Sequence, residues 1–193
     1  MTAEPFLFGK LPSHGDFVWR GLTAEAHDVW DAWASAEIKS AAAALGEGFA
    51  GAHETALPCR FVAGPGELGD TWRAGALAPS IDSAGRRFLV VAGLEGLEPH
   101  QAAVLGAAIA DRCEGVLRRA LVGPLSVDET LSLLIQDMPC AGELGAAAAM
   151  GVNIASVGVW WRPGDGSVCQ SSAPPPGLVS DALDRATQAG EVA

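Results

Sequence analysis

Positive charge is scarce in this sequence: 12 Lys and Arg stand against 23 Asp and Glu, a formal net charge of -11 over 193 residues. A nucleic-acid groove draws its affinity from clustered Lys and Arg, so that class of partner is not expected. The acidic balance fits simple solubility and a basic protein partner equally well. Long apolar runs are also missing. Although 49% of the residues are hydrophobic, Gly, Pro or charge interrupts each run before the roughly 18 residues that a membrane span needs. No membrane insertion is expected. Met1 to Phe8 carries Glu4 and Pro5 in place of a basic start and an apolar stretch. It therefore does not read as an export signal, and the expected compartment is the cytoplasm. The four cysteines, Cys59, Cys113, Cys140 and Cys169, form no C-x-x-C pair, which argues against a zinc site or a redox pair and for buried or semi-buried thiols.

Gly and Pro act as punctuation between short elements, and no repeat or linker divides the chain, so residues 1–193 read as one domain. An opening strand is expected at Phe6 to Gly9, followed by a polar turn from Lys10 to Asp16. Thr23 offers an N-cap and Glu25 an acidic first turn to a helix that ends near Gly46, with Ala26, Trp30, Trp33, Ala41 and Leu45 at near-helical spacing. Cys59 to Ala63, Gly75 to Pro79 and Phe88 to Gly93 read as strands. The unbroken apolar run from Phe88 to Val91 predicts cover on both faces of the sheet.

Pro99 starts a second helix with Ala102, Leu105, Ile109, Cys113, Val116 and Leu117 on its buried stripe, and Arg118 and Arg119 suit its negative end. Ser126 and Glu129 form a capping box for a third, with Leu131, Leu134, Ile135 and Met138 as its stripe and Pro139 as its stop. A hairpin is expected from Ser156 to Arg162 and Val168 to Ser172, turning at Pro163 to Gly166. A last helix carries Leu178, Val179, Ala182, Leu183 and Ala186. Interspersed helices and strands predict an α/β fold, a three-layer αβα sandwich with a mixed sheet.

Several chemical motifs fail on context. Gly64, Gly66 and Gly69 spell G-x-G-x-x-G, but Gly75 and Pro79 follow where a long helix must begin if the turn is to hold a pyrophosphate. Gly9-Lys10 lacks the leading glycine and the Ser or Thr of a phosphate loop. Ser13, in Leu11-Pro12-Ser13-His14-Gly15, departs from the nucleophile elbow at its first position, and its base and acid would have to come from afar. His14 with Asp16, and His27 with Asp28, have no metal-ligand spacing. Trp30 and Trp33 fall on a core-facing stripe, so they read as packing and not as a base-stacking platform. No catalytic residue, metal or cofactor is expected.

Gly9-Lys10-Leu11-Pro12-Ser13-His14-Gly15-Asp16-Phe17-Val18, followed by Trp30-Asp31-x-Trp33, resembles the opening of the TagF/ImpM family of type VI secretion-associated proteins. The resemblance continues through Arg60-Phe61, Pro65-Gly66, Trp72, Gly75, Pro79-Ser80-Ile81-Asp82-x-x-Gly85-Arg86-x-Phe88 and Val159-Trp160-Trp161. It implies a cytoplasmic αβα domain that acts after translation to hold secretion off by binding the forkhead-associated scaffold protein of the system. Some relatives are fused to a phosphatase; no phosphatase activity is expected of this chain.

On residue chemistry, Gly15 and Gly85 suit positive φ or close backbone approach, and Asp16 and Asp82 can accept turn N–H groups and pair with Lys10 or Arg86. Lys10, Pro12, Ser13, Gly15, Asp16, Phe17, Ser80, Asp82, Gly85 and Arg86 are therefore the candidate site. They form either a purely structural staple between two loops or a rigid face for a partner.

Overall fold

The structure, a computed structural model, describes residues 3–123, 125–136, 158–163, 168–171 and 173–190. Among these residues, seven strands form one sheet: β1 (Glu4–Gly9), β2 (Val18–Arg20), β3 (Cys59–Ala63), β4 (Trp72–Ile81), β5 (Arg87–Leu97), β6 (Gly158–Trp161) and β7 (Val168–Gln170). Their order is β2-β1-β5-β4-β3-β6-β7, and each neighbouring pair is antiparallel. The expected layers are present, but the sheet is antiparallel and not mixed. Short connections link β1 to β2, β3 to β4 and β4 to β5, and each reverses the chain, whereas a parallel neighbour needs a long crossover.

Among the described residues, five α-helices cover the sheet: α1 (Ala24–Leu45), α2 (Phe49–Thr55), α3 (Pro99–Val122), α4 (Val127–Gln136) and α5 (Leu178–Gly190). The expected boundaries of α1 and α3 hold. Thr23 Oγ1 accepts from Ala26 N at 3.2 Å, and Gly46 ends α1. Pro99 opens α3 behind a Glu98–Gln101 capping box. In α4 the Ser126–Glu129 box forms and Leu134 is buried as expected, but Ile135 is exposed and Val127 and Thr130 are buried in its place. Met138, Pro139, Cys140, Ser156, the turn at Gly164 to Gly166, Ser172 and the Ala186 side chain lie outside the described residues.

Alternation along the strands divides the core in two. Leu7, Val62, Ala74, Ala76, Ala78, Val90 and Ala92 face α3 and α4. Phe6, Phe8, Phe61, Leu77, Leu89 and Val91 face α1, α2 and α5. The α3 side is built for close approach: β4 offers alanines, and a Cβ on Gly106 of α3 would stand 2.7 Å from Val62.

The opposite face is aromatic. Trp30 lies among Phe8, Trp33, Phe61 and Trp160 with ring centroids 5.7 to 6.4 Å away, and Phe61 stacks on Trp160 at 4.7 Å. Gly75 and Gly93 pair across β4 and β5 beneath these rings; a Cβ on either would meet Phe61 or Phe6 at 2.7 to 2.8 Å. Trp30 is buried and Trp33 half-buried, as the helical spacing predicts.

One buried acid on α1 was not foreseen. Glu37 sits under α5, where its carboxylate accepts from Gly177 N at 2.6 Å and Val179 N at 2.9 Å. It supplies acceptors to the open N–H groups at the start of α5 and places negative charge at the positive end of that helix. Trp33 adds a bond from Nε1 to the Pro175 carbonyl at 3.1 Å. Replacing Glu37 with Ala leaves the buried Val179 N–H and the half-buried Gly177 N–H without this acceptor and is expected to cost about 2 kcal/mol of stability. Glu37→Gln, which keeps one acceptor, should cost less, and urea denaturation of the two variants checks the order.

Candidate functional site

At the end of β1, Gly9 adopts φ 118°, and a Cβ there would stand 2.1 Å from the Leu89 carbonyl oxygen. Only glycine allows this approach. The chain then turns back over β5, where Lys10 N donates to Leu89 O at 3.0 Å and Ser80 Oγ donates to Lys10 O at 2.6 Å. The loop from Lys10 to Phe17 is thereby laid beside the β4–β5 turn at residues 82–86.

Asp82 joins the two. Its side chain has no exposed surface, and it accepts four kinds of donor: the backbone N–H of Ala84 (3.0 Å) and Arg86 (2.9 Å), Lys10 Nζ (2.9 Å) and Arg86 Nε (2.6 Å). Burial pushes the carboxyl up, but the donors on Arg86, Lys10 and Ala84 together outweigh it and hold the group well below the usual carboxylate range. Arg86 continues across the gap to the Gly15 carbonyl at 2.5 Å, and Ser83 N reaches His14 O at 2.9 Å. Gly85 adopts φ 78° to close the turn, while Gly15 serves by its lack of bulk, since a Cβ would lie 3.3 Å from Ser83 Oγ.

Asp16 does not share in this. It is exposed at the loop tip, and both cations go to Asp82. Asp82 already satisfies them from inside the turn, which leaves Asp16 facing solvent. Phe17 folds under the loop between Phe8 and Phe88, edge-on to both at 4.9 and 5.1 Å. Pro12 is half-buried in the turn.

Ser13 ties the loop to the segment before α4. Its hydroxyl donates to Leu125 O at 2.6 Å and lies 2.9 Å from His14 Nδ1. With its one proton on the carbonyl, the hydroxyl can only accept from His14, the reverse of a nucleophile giving its proton to a base. The glycine-rich motif is likewise accounted for: Gly66 and Gly69 exchange backbone hydrogen bonds at 3.0 and 2.9 Å in a tight turn that leads into β4.

The other side chains with chemistry are dispersed. Cys59 and Cys113 are buried, and burial pushes the Cys113 thiol up to about 12, but Cys169 is exposed and not semi-buried as expected. Its strand, β7, is the outermost of the sheet. Among the described residues no group of three or more His, Cys, Asp or Glu gathers as metal ligands would, and no helix is long and apolar enough to cross a membrane.

Two groups were missed in the sequence. His53, at the end of α2, is buried and its Nε2 lies 2.7 Å from the Phe88 carbonyl oxygen, so it braces β5 beside the staple. Burial lowers its pKa. Trp19 of β2 remains 42% exposed beside His27. No spacing marks either of them.

Stability should respond to pH in two windows. His53 is harder to protonate folded than unfolded, so stability falls as pH drops through its unfolded value near 6.5, and His53→Gln should flatten that slope. Asp82 is harder to protonate folded, so its contribution is present above the unfolded value near 4 and is lost as pH falls further; Asp82→Asn should reduce this second slope, to which Glu129 in its capping box also contributes, and lower the midpoint at neutral pH. Thermal denaturation from pH 8 to pH 2 tests both.

The sequence matches the family model described as the TagF N-terminal domain, Type VI secretion system-associated, over residues 7–136. Among solved structures, the crystal structure of PA0076 from Pseudomonas aeruginosa PAO1 shares the fold, with a TM-score of 0.69 and 23% identity over 95% of this chain and 94% of that one. No curated protein matches the sequence.

Proposed function

The chain belongs to the TagF family of type VI secretion-associated proteins, and we propose that it restrains that machine by binding, without turnover, the forkhead-associated scaffold protein in the cytoplasm. The observation that carries this reading is the face built by the two motif loops. Gly15, Asp16 and residues 83–86 are exposed, yet they are held from beneath by a buried carboxylate and its cations. Recognition loops that are already ordered bind without a large entropy cost. A purely internal staple would not need Asp16 and the outer edge of Arg86 in water.

The role of Ser13 also fits a binding protein: its hydroxyl holds the loop against Leu125.

Calorimetric titration of the full chain against the scaffold protein of the same secretion cluster is expected to show saturable binding without turnover. Asp16→Ala should weaken it by about tenfold with no change in the unfolding midpoint, the behaviour of an interface residue and not of a core one. Arg86→Ala should weaken it and also lower the midpoint. Deletion of the gene should raise secretion. Absence of binding by a folded chain would overturn the partner assignment, and loss of secretion on deletion would point to an assembly factor.

A further inference from the structure

β2 is one edge of the sheet, and its backbone shows which groups no strand among the described residues pairs. Lys10 N bonds to Leu89 O, so alternate residues along β1 turn toward β5, and Gly9 and Leu7 turn the other way, to meet Val18 and Arg20. Trp19, between those two, therefore presents its N–H and C=O outward. The Arg20 guanidinium has folded back onto that carbonyl at 2.8 Å, a placement that blunts a free edge.

The surroundings of this edge are asymmetric. On one face stands the half-exposed indole of Trp19, 4.8 Å from the His27 ring. On the other a cleft of about 580 Å³ opens between the motif loop and the start of α4, lined by residues 14–18, Arg20 and residues 126–128. Asp16 and Asp128 are exposed on its wall, and Asp28 is exposed on the Trp19 side, beside His27. Arg20, the cation of this strand, is engaged on its own backbone.

We propose that this edge is where the scaffold docks, by adding an extended segment with basic residues flanking an apolar one as an eighth strand beside β2. The inference rests on the scaffold-binding reading and names the mode. The incoming backbone takes the Trp19 N–H and C=O and displaces the Arg20 guanidinium. Its apolar side chain covers the indole, and the basic side chains that flank it, turned to the opposite face, meet Asp16 and Asp128. An exposed tryptophan bordered by charge is the composition of an interface anchor. The Asp82 staple fixes the loop leading into β2, so the edge is preformed.

The test is amide exchange of the full chain with and without the scaffold, with affinities of three variants. Strand addition predicts protection concentrated in residues 17–21. Trp19→Ala should weaken binding about tenfold through the indole. Trp19→Pro is tolerated where the N–H faces solvent, and should weaken binding about tenfold further. Arg20→Ala, which removes the competing donor, should tighten it about two- to fivefold. Scaffold binding with protection elsewhere, or with Trp19→Pro equal to Trp19→Ala, overturns the docking mode and leaves the regulator reading intact. No binding by the wild-type chain overturns both. Protection of the same residues by concentrated protein alone would assign the edge to a second copy and also overturn the proposal. If Trp19→Pro fails to fold, the exchange pattern of the wild type decides.

Discussion

A carboxylate taken out of water is tolerable only where its charge and lone pairs are met, and Asp82 is met on all sides. Two of its donors are backbone N–H groups of its own turn, and two are cations, one reaching in from the β1–β2 loop. The first pair fixes the shape of the β4–β5 turn, and the second pair fixes the distance between that turn and the loop. Everything placed on the loop inherits this registration: the Gly15 carbonyl under Arg86, Phe17 wedged between two phenylalanines, Ser13 against Leu125, and the direction in which the chain enters β2. The groups that bind the loops together are beneath and the groups left over are outside, so the proposed recognition face needs no support beyond the staple itself.

The two halves of the core solve the same problem with opposite materials. Toward α3 the sheet is lined with alanines and Gly106 lets the helix settle onto Val62. Toward α1 the rings of Phe6 and Phe61 occupy the space that paired glycines vacate. A sheet whose centre carries almost no bulk on one side can accept large rings on the other only if the backbone itself forms the floor. That explains why the middle strands are rich in small residues although they are buried on both faces, where Val and Ile are the commoner choice.

The long helices and the central strands were legible because they carry caps, a proline at the first turn and apolar runs, and α1, α3 and β3 begin and end close to where those signals put them. β2 and α2 were not. With three and seven residues, neither completes enough of a period to be read. Strand direction was misjudged because interspersed elements resemble a parallel α/β sheet until the connections are seen. At the site, Lys10, Ser80, Asp82 and Arg86 converge as residue chemistry allowed, but sequence could not tell which aspartate the cations would choose. Glu37 and His53 were silent for a different reason: each bonds to a backbone atom far along the chain, and such partners have no side-chain signature.

The family match stops at residue 136, but the α1 layer does not close there. Trp160 completes the stack on Phe61, β6 covers the free edge of β3, and the start of α5 supplies the only described donors to the Glu37 carboxylate. A ribosome that has delivered the whole matched region has therefore produced a core that still lacks Trp160, Leu178, Val179 and Leu183, with an anionic side chain pointing at a vacant seat. The boundary drawn by shared sequence and the boundary of the packed core are different boundaries, and the core runs on to α5.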